Sequence, residues 1–258
     1  MNERTRIICY ILRALIMTGC MASSLAQTVA IPDSGLNAAI RDALQKPSGL
    51  LTAQDLLSLT NLDASFRNVR NITGLEAARN LVSLDLGFNA LTNVSLPTNL
   101  TALANLDLEG NLLTHFALPA GLKNLSSLNL FDNQLTSLTL PVDAQRLTEL
   151  VLDANPLESV VLSEPLAATN LADTVATLRD HNISVFTYPL TLQMIAPRRF
   201  GGAFTLAVTG PPGVYTVQAS LDLAVWTGLG TVTNGNGTAR FDDLTAHLSS
   251  RKFYRAGP

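Results

Sequence analysis

The sequence predicts a leucine-rich-repeat solenoid followed by a small antiparallel β-sandwich. The solenoid has parallel β-strands on its concave face, a short helical N-terminal cap and a helix in its last unit. Three observations carry this. Asn89, Asn111, Asn133 and Asn155 are spaced 22 residues apart. Each sits in a run of the form L-x-x-L-x-L-x-x-N-x-L: Leu81–Leu91, Leu103–Leu113, Leu125–Leu135 and Leu147–Leu157. From Leu190 onward the period is lost, and short alternating segments between glycine- and proline-marked turns replace it. A repeat at this period cannot bury its own leucines, so stacked neighbours must form one continuous core.

The elements follow in chain order. Ile31-Pro32-Asp33-Ser34 precedes a helix with Leu36, Ile40 and Leu44 on one stripe; Asp33 or Ser34 can cap it, and Pro47-Ser48-Gly49 ends it. Thr52-x-x-Asp55 has the form of a capping box for a second short helix with Leu56 and Leu57. Residues 27–58 thus read as a lid over the open end of the solenoid, and 59–189 as the solenoid itself. Its first unit is irregular, with Arg67 where the asparagine should stand. In the regular units Leu84-Asp85-Leu86 alternates as a strand requires. Asn89 turns the chain, its amide able to pair with backbone groups that the bend leaves free. Val94, Phe116, Leu138 and Val160 return to the core, and Leu96-Pro97, Leu118-Pro119 and Leu140-Pro141 begin the way back. Proline is tolerable there if that side has no continuous ladder. Asn170-Leu171-Ala172-Asp173 starts a further helix with Leu171, Val175 and Leu178 buried and Asn182 at its end; Ile183–Tyr188 then reads as one more parallel strand.

Residues 190–258 form the β-module. Phe204–Val208, Val214–Val217 and Ala239–Phe241 alternate between turns at Gly201-Gly202, Pro211-Pro212-Gly213 and Asn234-Gly235-Asn236-Gly237. Trp226, the one tryptophan, reads first as a core anchor and second as an exposed ligand platform.

Residues 1–26 have the layout of a secretory signal. Arg4 and Arg6 precede the apolar Ile7–Met17, and Ser24-Leu25-Ala26 offers a small-x-small cleavage site before Gln27. A second route is lipid modification at Cys20, preceded by Met17-Thr18-Gly19, and this is the one membrane attachment the sequence offers. Both cysteines, Cys9 and Cys20, lie in this segment, so the remainder holds together without disulfides. Export to the cell envelope or the medium is the expected destination.

Charge narrows the partner. Residues 27–189 carry 8 basic against 16 acidic side chains, and residues 190–258 carry 6 against 3. That balance argues against a nucleic-acid partner for the repeats. The motifs G-x-S-x-G, Walker A and H-E-x-x-H are all missing, as is a cysteine nucleophile outside the leader. His115, His181 and His247 fall in three separate settings, so neither metal nor cofactor is expected. Arg67, Arg70 and Arg79 either pair with Asp63 or Glu76 or make an anion-binding spot.

The concave strands are the better candidate site. Their outward positions are Asn61, Asp63 and Ser65; Ser83, Asp85 and Gly87; Asn105, Asp107 and Glu109; Ser127, Asn129 and Phe131; Glu149, Val151 and Asp153. Six of these are acidic and none is basic. The candidate contacts are Asp63, Asp85, Asp107, Glu109, Asn129, Phe131, Glu149 and Asp153. Asp63, Asp85 and Asp107 should stack at the strand spacing of ~5 Å, which suits a cationic ligand or basic peptide. It also suits a solvated face that keeps the sheet soluble.

The residues resemble a known group. Leu62-Asp63-Ala64-Ser65, Ile72-Thr73-Gly74-Leu75-Glu76 and Asn80-Leu81-x-x-Leu84-Asp85-Leu86 are similar to the opening repeat of bacterial internalin-like proteins. Ile31-Pro32-Asp33-x-x-Leu36-x-x-Ala39-Ile40 is similar to their helical cap. The tail resembles a small β-domain of secreted bacterial proteins through Gly210–Val217, Trp226 and Lys252–Ala256. The resemblance implies recognition of a surface protein through the concave face. The expectation is therefore a non-enzymatic, exported protein binding an extracellular or envelope protein, or a glycan. A structural component of the envelope and an accessory to a larger enzyme system are the alternatives.

Overall fold

A computed structural model describes residues 27–200 and 202–258. The expected leader and the Cys20 lipid site lie outside the described residues. Helices α1 (Ser34–Leu44) and α2 (Ala53–Leu57) come first among the described residues. Asp33 both caps and docks α1. One carboxylate oxygen accepts from the N–H of Leu36, the other from the N–H groups of Arg70 and Asn71 in the first repeat. The Thr52–Asp55 capping box forms in full on α2. Leu36, Ile40 and Leu56 are fully buried.

Strands β1 (Asn61–Asp63), β2 (Ser83–Asp85), β3 (Asn105–Asp107) and β4 (Ser127–Asn129) stack in parallel. β5 (Ser137–Thr139) lies on the return side, and β6 (Glu149–Val151) completes the concave sheet in the order β1-β2-β3-β4-β6. The register is one repeat per strand: Asp63 faces Asp85, Asp85 faces Asp107, and Asp107 faces Asn129. Each strand starts one residue earlier than Leu84-Asp85-Leu86 suggests, because Val82 O and its equivalents take the first cross-strand bonds.

The return side departs from expectation. β5, β7 (Ser159–Ser163) and β8 (Ser184–Tyr188) form a second parallel sheet there. Val160, Val161 and Val185 favour extended backbone, and Pro141 falls beyond the end of β5, where it blocks no ladder bond. Between β7 and β8 run α3 (Glu164–Ala168) and α4 (Ala172–Asp180). Asn170 does not cap α4. Leu171 occupies that position without a side-chain bond, and the Asn170 amide donates to Gln145 O. Asn182 does end the helix, in the left-handed conformation. Tyr188 ends β8 fully buried, and its hydroxyl donates to Leu140 O at 2.7 Å. Burial pushes that phenol up to about 12.

Strands β9 (Gln193–Phe200), β10 (Ala203–Thr209), β11 (Gly213–Ser220), β12 (Thr227–Asn234), β13 (Thr238–Asp243) and β14 (Phe253–Gly257) follow. They make two antiparallel sheets, β13-β10-β9 and β12-β11-β14. Leu206, Val208, Tyr215 and Val217 are the buried centre. Phe204 of one sheet stacks on Tyr254 of the other at 4.5 Å. Trp226 is not a core anchor: it lies outside this cluster, half-exposed, with the Arg255 guanidinium 4.3 Å from its ring.

Candidate recognition face

The repeat asparagines build the frame that presents the face. Asn111 is 4% exposed, and its amide N–H groups are shared among Leu86 O, Leu108 O and Glu109 O at 2.9–3.2 Å. Its oxygen accepts from the N–H of Leu91, twenty residues back. Asn89, Asn133 and Asn155 repeat the pattern. Successive asparagines meet on one carbonyl, as Asn89 and Asn111 do on Leu86 O, so both lone pairs are used. The rungs are linked into one buried network rather than four separate turns.

On that frame the predicted site residues fall into three columns. Asp63, Asp85, Asp107 and Asn129 form the first, and each oxygen accepts from the backbone N–H two residues on: Ser65, Gly87, Glu109 and Phe131. The acidic row therefore has a local structural role that strand alternation alone does not reveal. Depth separates its members. Burial raises the Asp85 carboxyl above its ordinary value, with Asp107, Asp63 and Glu109 adding repulsion. Asp63 is exposed, and hydrogen bonds from Ser65 hold its carboxyl below that value.

Glu109, Phe131 and Asp153 share the second column with Ser65 and Gly87, and Glu149 stands in a third, beside Ser127. Asn129 draws neighbours together, its amide donating to Asp107 at 3.1 Å and Glu109 at 3.0 Å; Ser127 donates to Glu149 at 2.8 Å. Phe131 is 37% exposed. Asp153 stands apart at the far end, on a recess of about 590 Å³ that Asn155, Asp173, Thr177 and His181 also line. The asparagine ladder stops there: 22 residues beyond Asn155 stands Thr177, inside α4.

Two residues that sequence reasoning missed join the face. Phe66 and Phe88 are 72% and 44% exposed, and their rings stack at 4.5 Å and 11°. Both have positive φ, 56° and 51°, which costs a bulky residue about 1–3 kcal/mol. Gly110, Asp132 and Ala154 occupy the same repeat position and the same left-handed conformation. A side chain at Gly110 would meet the Phe88 ring at 2.7 Å, so the aromatic lane needs this glycine. Strict alternation hid the pair, because the left-handed turn after each strand presents a further residue outward. The signal was present: two phenylalanines 22 residues apart, each one place before the asparagine position.

Arg67 pairs with Asp42 of α1 at 2.8 Å, not with Asp63 or Glu76. Among the described residues no group of three or more His, Cys, Asp or Glu side chains is placed to hold a metal ion. No described helix is long and apolar enough to cross a membrane.

A parallel strand per 22-residue unit, locked by a buried asparagine, defines a leucine-rich-repeat solenoid. Three solved structures similar to this chain, from Listeria monocytogenes, are the functional domain of InlJ, internalin C2 and an internalin, InlF. They share 25%, 26% and 24% sequence identity over 52%, 64% and 61% of this chain, with TM-scores of 0.47, 0.49 and 0.41. The match spans 31% of the InlJ chain, 70% of the internalin C2 chain and 55% of the InlF chain. No protein-family model and no curated protein matches the sequence.

Proposed function

We propose that this is an exported, non-enzymatic binding protein whose concave face recognises an extracellular or envelope protein, or a glycan. The observation that carries the reading is one face with carboxylates in adjacent columns, no basic side chain at its outward strand positions, and an exposed aromatic pair at its edge. Carboxylates steer and select a basic partner, and exposed aromatics supply the anchor. Asp63, Asp85, Asp107, Glu109, Asn129, Phe131, Glu149 and Asp153 are the contacts assigned from sequence, with Phe66 and Phe88 now added. The leader is removed at Gln27 or the chain is lipidated at Cys20. Residues 27–58 cap the solenoid of 59–189. Residues 190–258 form a β-sandwich whose two sheets meet at Phe204 and Tyr254.

The test is capture of envelope and medium proteins and glycans by residues 27–258. It runs beside two variants, one with Asp85, Asp107 and Glu109 changed to Lys, one with Phe66 and Phe88 changed to Ala. A partner held by the native chain and lost by both variants supports the concave site. A partner held equally by all three removes it. Two separate calorimetric transitions are expected from the division near residue 190, and one shared transition argues against it.

A further inference from the structure

Two loops of the β-module are unusually apolar. Their residues Leu221, Leu223, Val225, Leu244 and Leu248 are 56–72% exposed. These are five large aliphatic side chains, against four residues in the module's buried cluster. Soluble surfaces rarely keep such a group uncovered. The two loops touch. Arg251 donates to Leu221 O at 3.3 Å, and Leu221, Val225, Ser249 and Lys252 line one recess of about 350 Å³.

The charges around the loops have one sign left free. Asp222 is turned back on its own loop, accepting from the N–H groups of Ala224 and Val225. Asp243 is buried against Lys252 at 2.7 Å. Arg251 and Arg255 remain, each over an aromatic ring, Phe253 and Trp226. Aliphatic side chains share these loops with Trp226, which follows Val225, and with Arg251. A bilayer takes such side chains at two levels, aliphatic ones in the hydrocarbon and tryptophan and arginine among the headgroups.

We propose that the loops 221–226 and 244–251 dock the module on an anionic lipid surface. Leu221, Leu223, Val225, Leu244 and Leu248 enter the acyl boundary, while Trp226, Arg251 and Arg255 meet the headgroups. The charge balance of residues 190–258, 6 basic against 3 acidic, complements such a surface, whereas the acidic solenoid does not. This proposal is independent of the reading of the concave face.

The experiment uses residues 27–258 with phosphatidylcholine vesicles, with and without phosphatidylglycerol. Trp226 is the sole tryptophan and reports directly. Its emission should shift to the blue on anionic vesicles and be quenched by brominated acyl chains, with the protein sedimenting with the lipid. Changing Leu221, Leu223 and Leu248 to Ser should weaken partition about tenfold or more. Arg251→Glu, which leaves every apolar residue in place, should weaken binding to the anionic vesicles alone. Circular dichroism of each variant confirms the fold. No blue shift and no sedimentation, or binding unchanged in both variants, overturns the proposal. Self-association without vesicles that the serine variant abolishes also overturns it, making a second copy the occupant.

Discussion

The solenoid and the β-module solve the same problem, polar groups that must be buried, in opposite ways. The solenoid distributes the burial. Each asparagine satisfies backbone groups in its own and the preceding repeats, and one buried leucine cluster runs from the cap to α4. The module buries a charge as well as the neutral Thr209, Ser220 and Asn234. Asp243 is 4% exposed and accepts from Lys252, Thr245 and Tyr254, beside a buried core of four residues. A linked ladder tolerates variation at its ends but is sensitive at its centre. A single charged knot has no neighbour to share a loss.

The largest effect should test the ladder. Asn111→Ala strands the Leu91 N–H and leaves Leu86 O with one donor fewer, all away from solvent, and should cost about 3–4 kcal/mol in denaturant unfolding. Asn155→Ala, at the more open end, should cost about half as much. Equal losses at both positions would mean that the rungs act separately.

Next comes the knot. Lys252→Met leaves the Asp243 carboxylate buried without its cation and should cost about 3 kcal/mol, read from the unfolding of the module alone. Unfolding of the solenoid should not move. A loss shared by both regions would break the comparison.

Acid should separate the two regions without mutation. Burial alone would raise the Asp243 carboxyl, but the hydrogen bonds from Lys252, Thr245 and Tyr254 overcome it and hold it at about 2. The folded value is depressed, so the stabilisation is present above the ordinary 3.8 and is lost as pH falls from there through about 2. The expected loss is roughly 2 kcal/mol, confined to the module. Near-ultraviolet circular dichroism between pH 5 and pH 2 reads it, and Lys252→Met should flatten the dependence.

The smallest effect lies on the concave face. Asp85→Asn should stabilise the solenoid by about 0.5 kcal/mol at neutral pH, because an amide oxygen can still accept from Gly87 N–H while a half-buried charge is removed. Asn129 already plays that part in the same column. With its folded value raised, Asp85 favours the fold in acid and loses that contribution as pH rises, so the gain should vanish at low pH. Asp63→Asn should slightly destabilise, since Asp63 is shifted the other way. Thermal midpoints of the two variants decide whether the acidic row is uniform or graded by depth.

Much of the solenoid was legible because its signals are local and repeated. Asn89 and its three successors, the Thr52–Asp55 box and the helix end at Asn182 each require a particular residue type at a particular spacing. The return-side sheet, the Asn170 position and Trp226 were not legible in the same way. Each depends on which neighbour arrives, and propensity alone does not name it. Phe66 and Phe88 were hidden for a different reason: a period-two rule applied past the strand's end assigns the left-handed turn residue no outward place.

By itself the sequence determined the period, the leucines that must be buried, the asparagines that must turn the chain, and the acidic bias of the strands, because these follow from covalent spacing and side-chain chemistry. Only the tertiary structure decided how those acids are used, Asp85 half-buried and repelled and Asp63 exposed and hydrogen-bonded, and only it laid Phe88 over Gly110 and closed Asp243 on Lys252. Burial and the approach of residues distant in the chain set those outcomes, and neither is a property of any one segment.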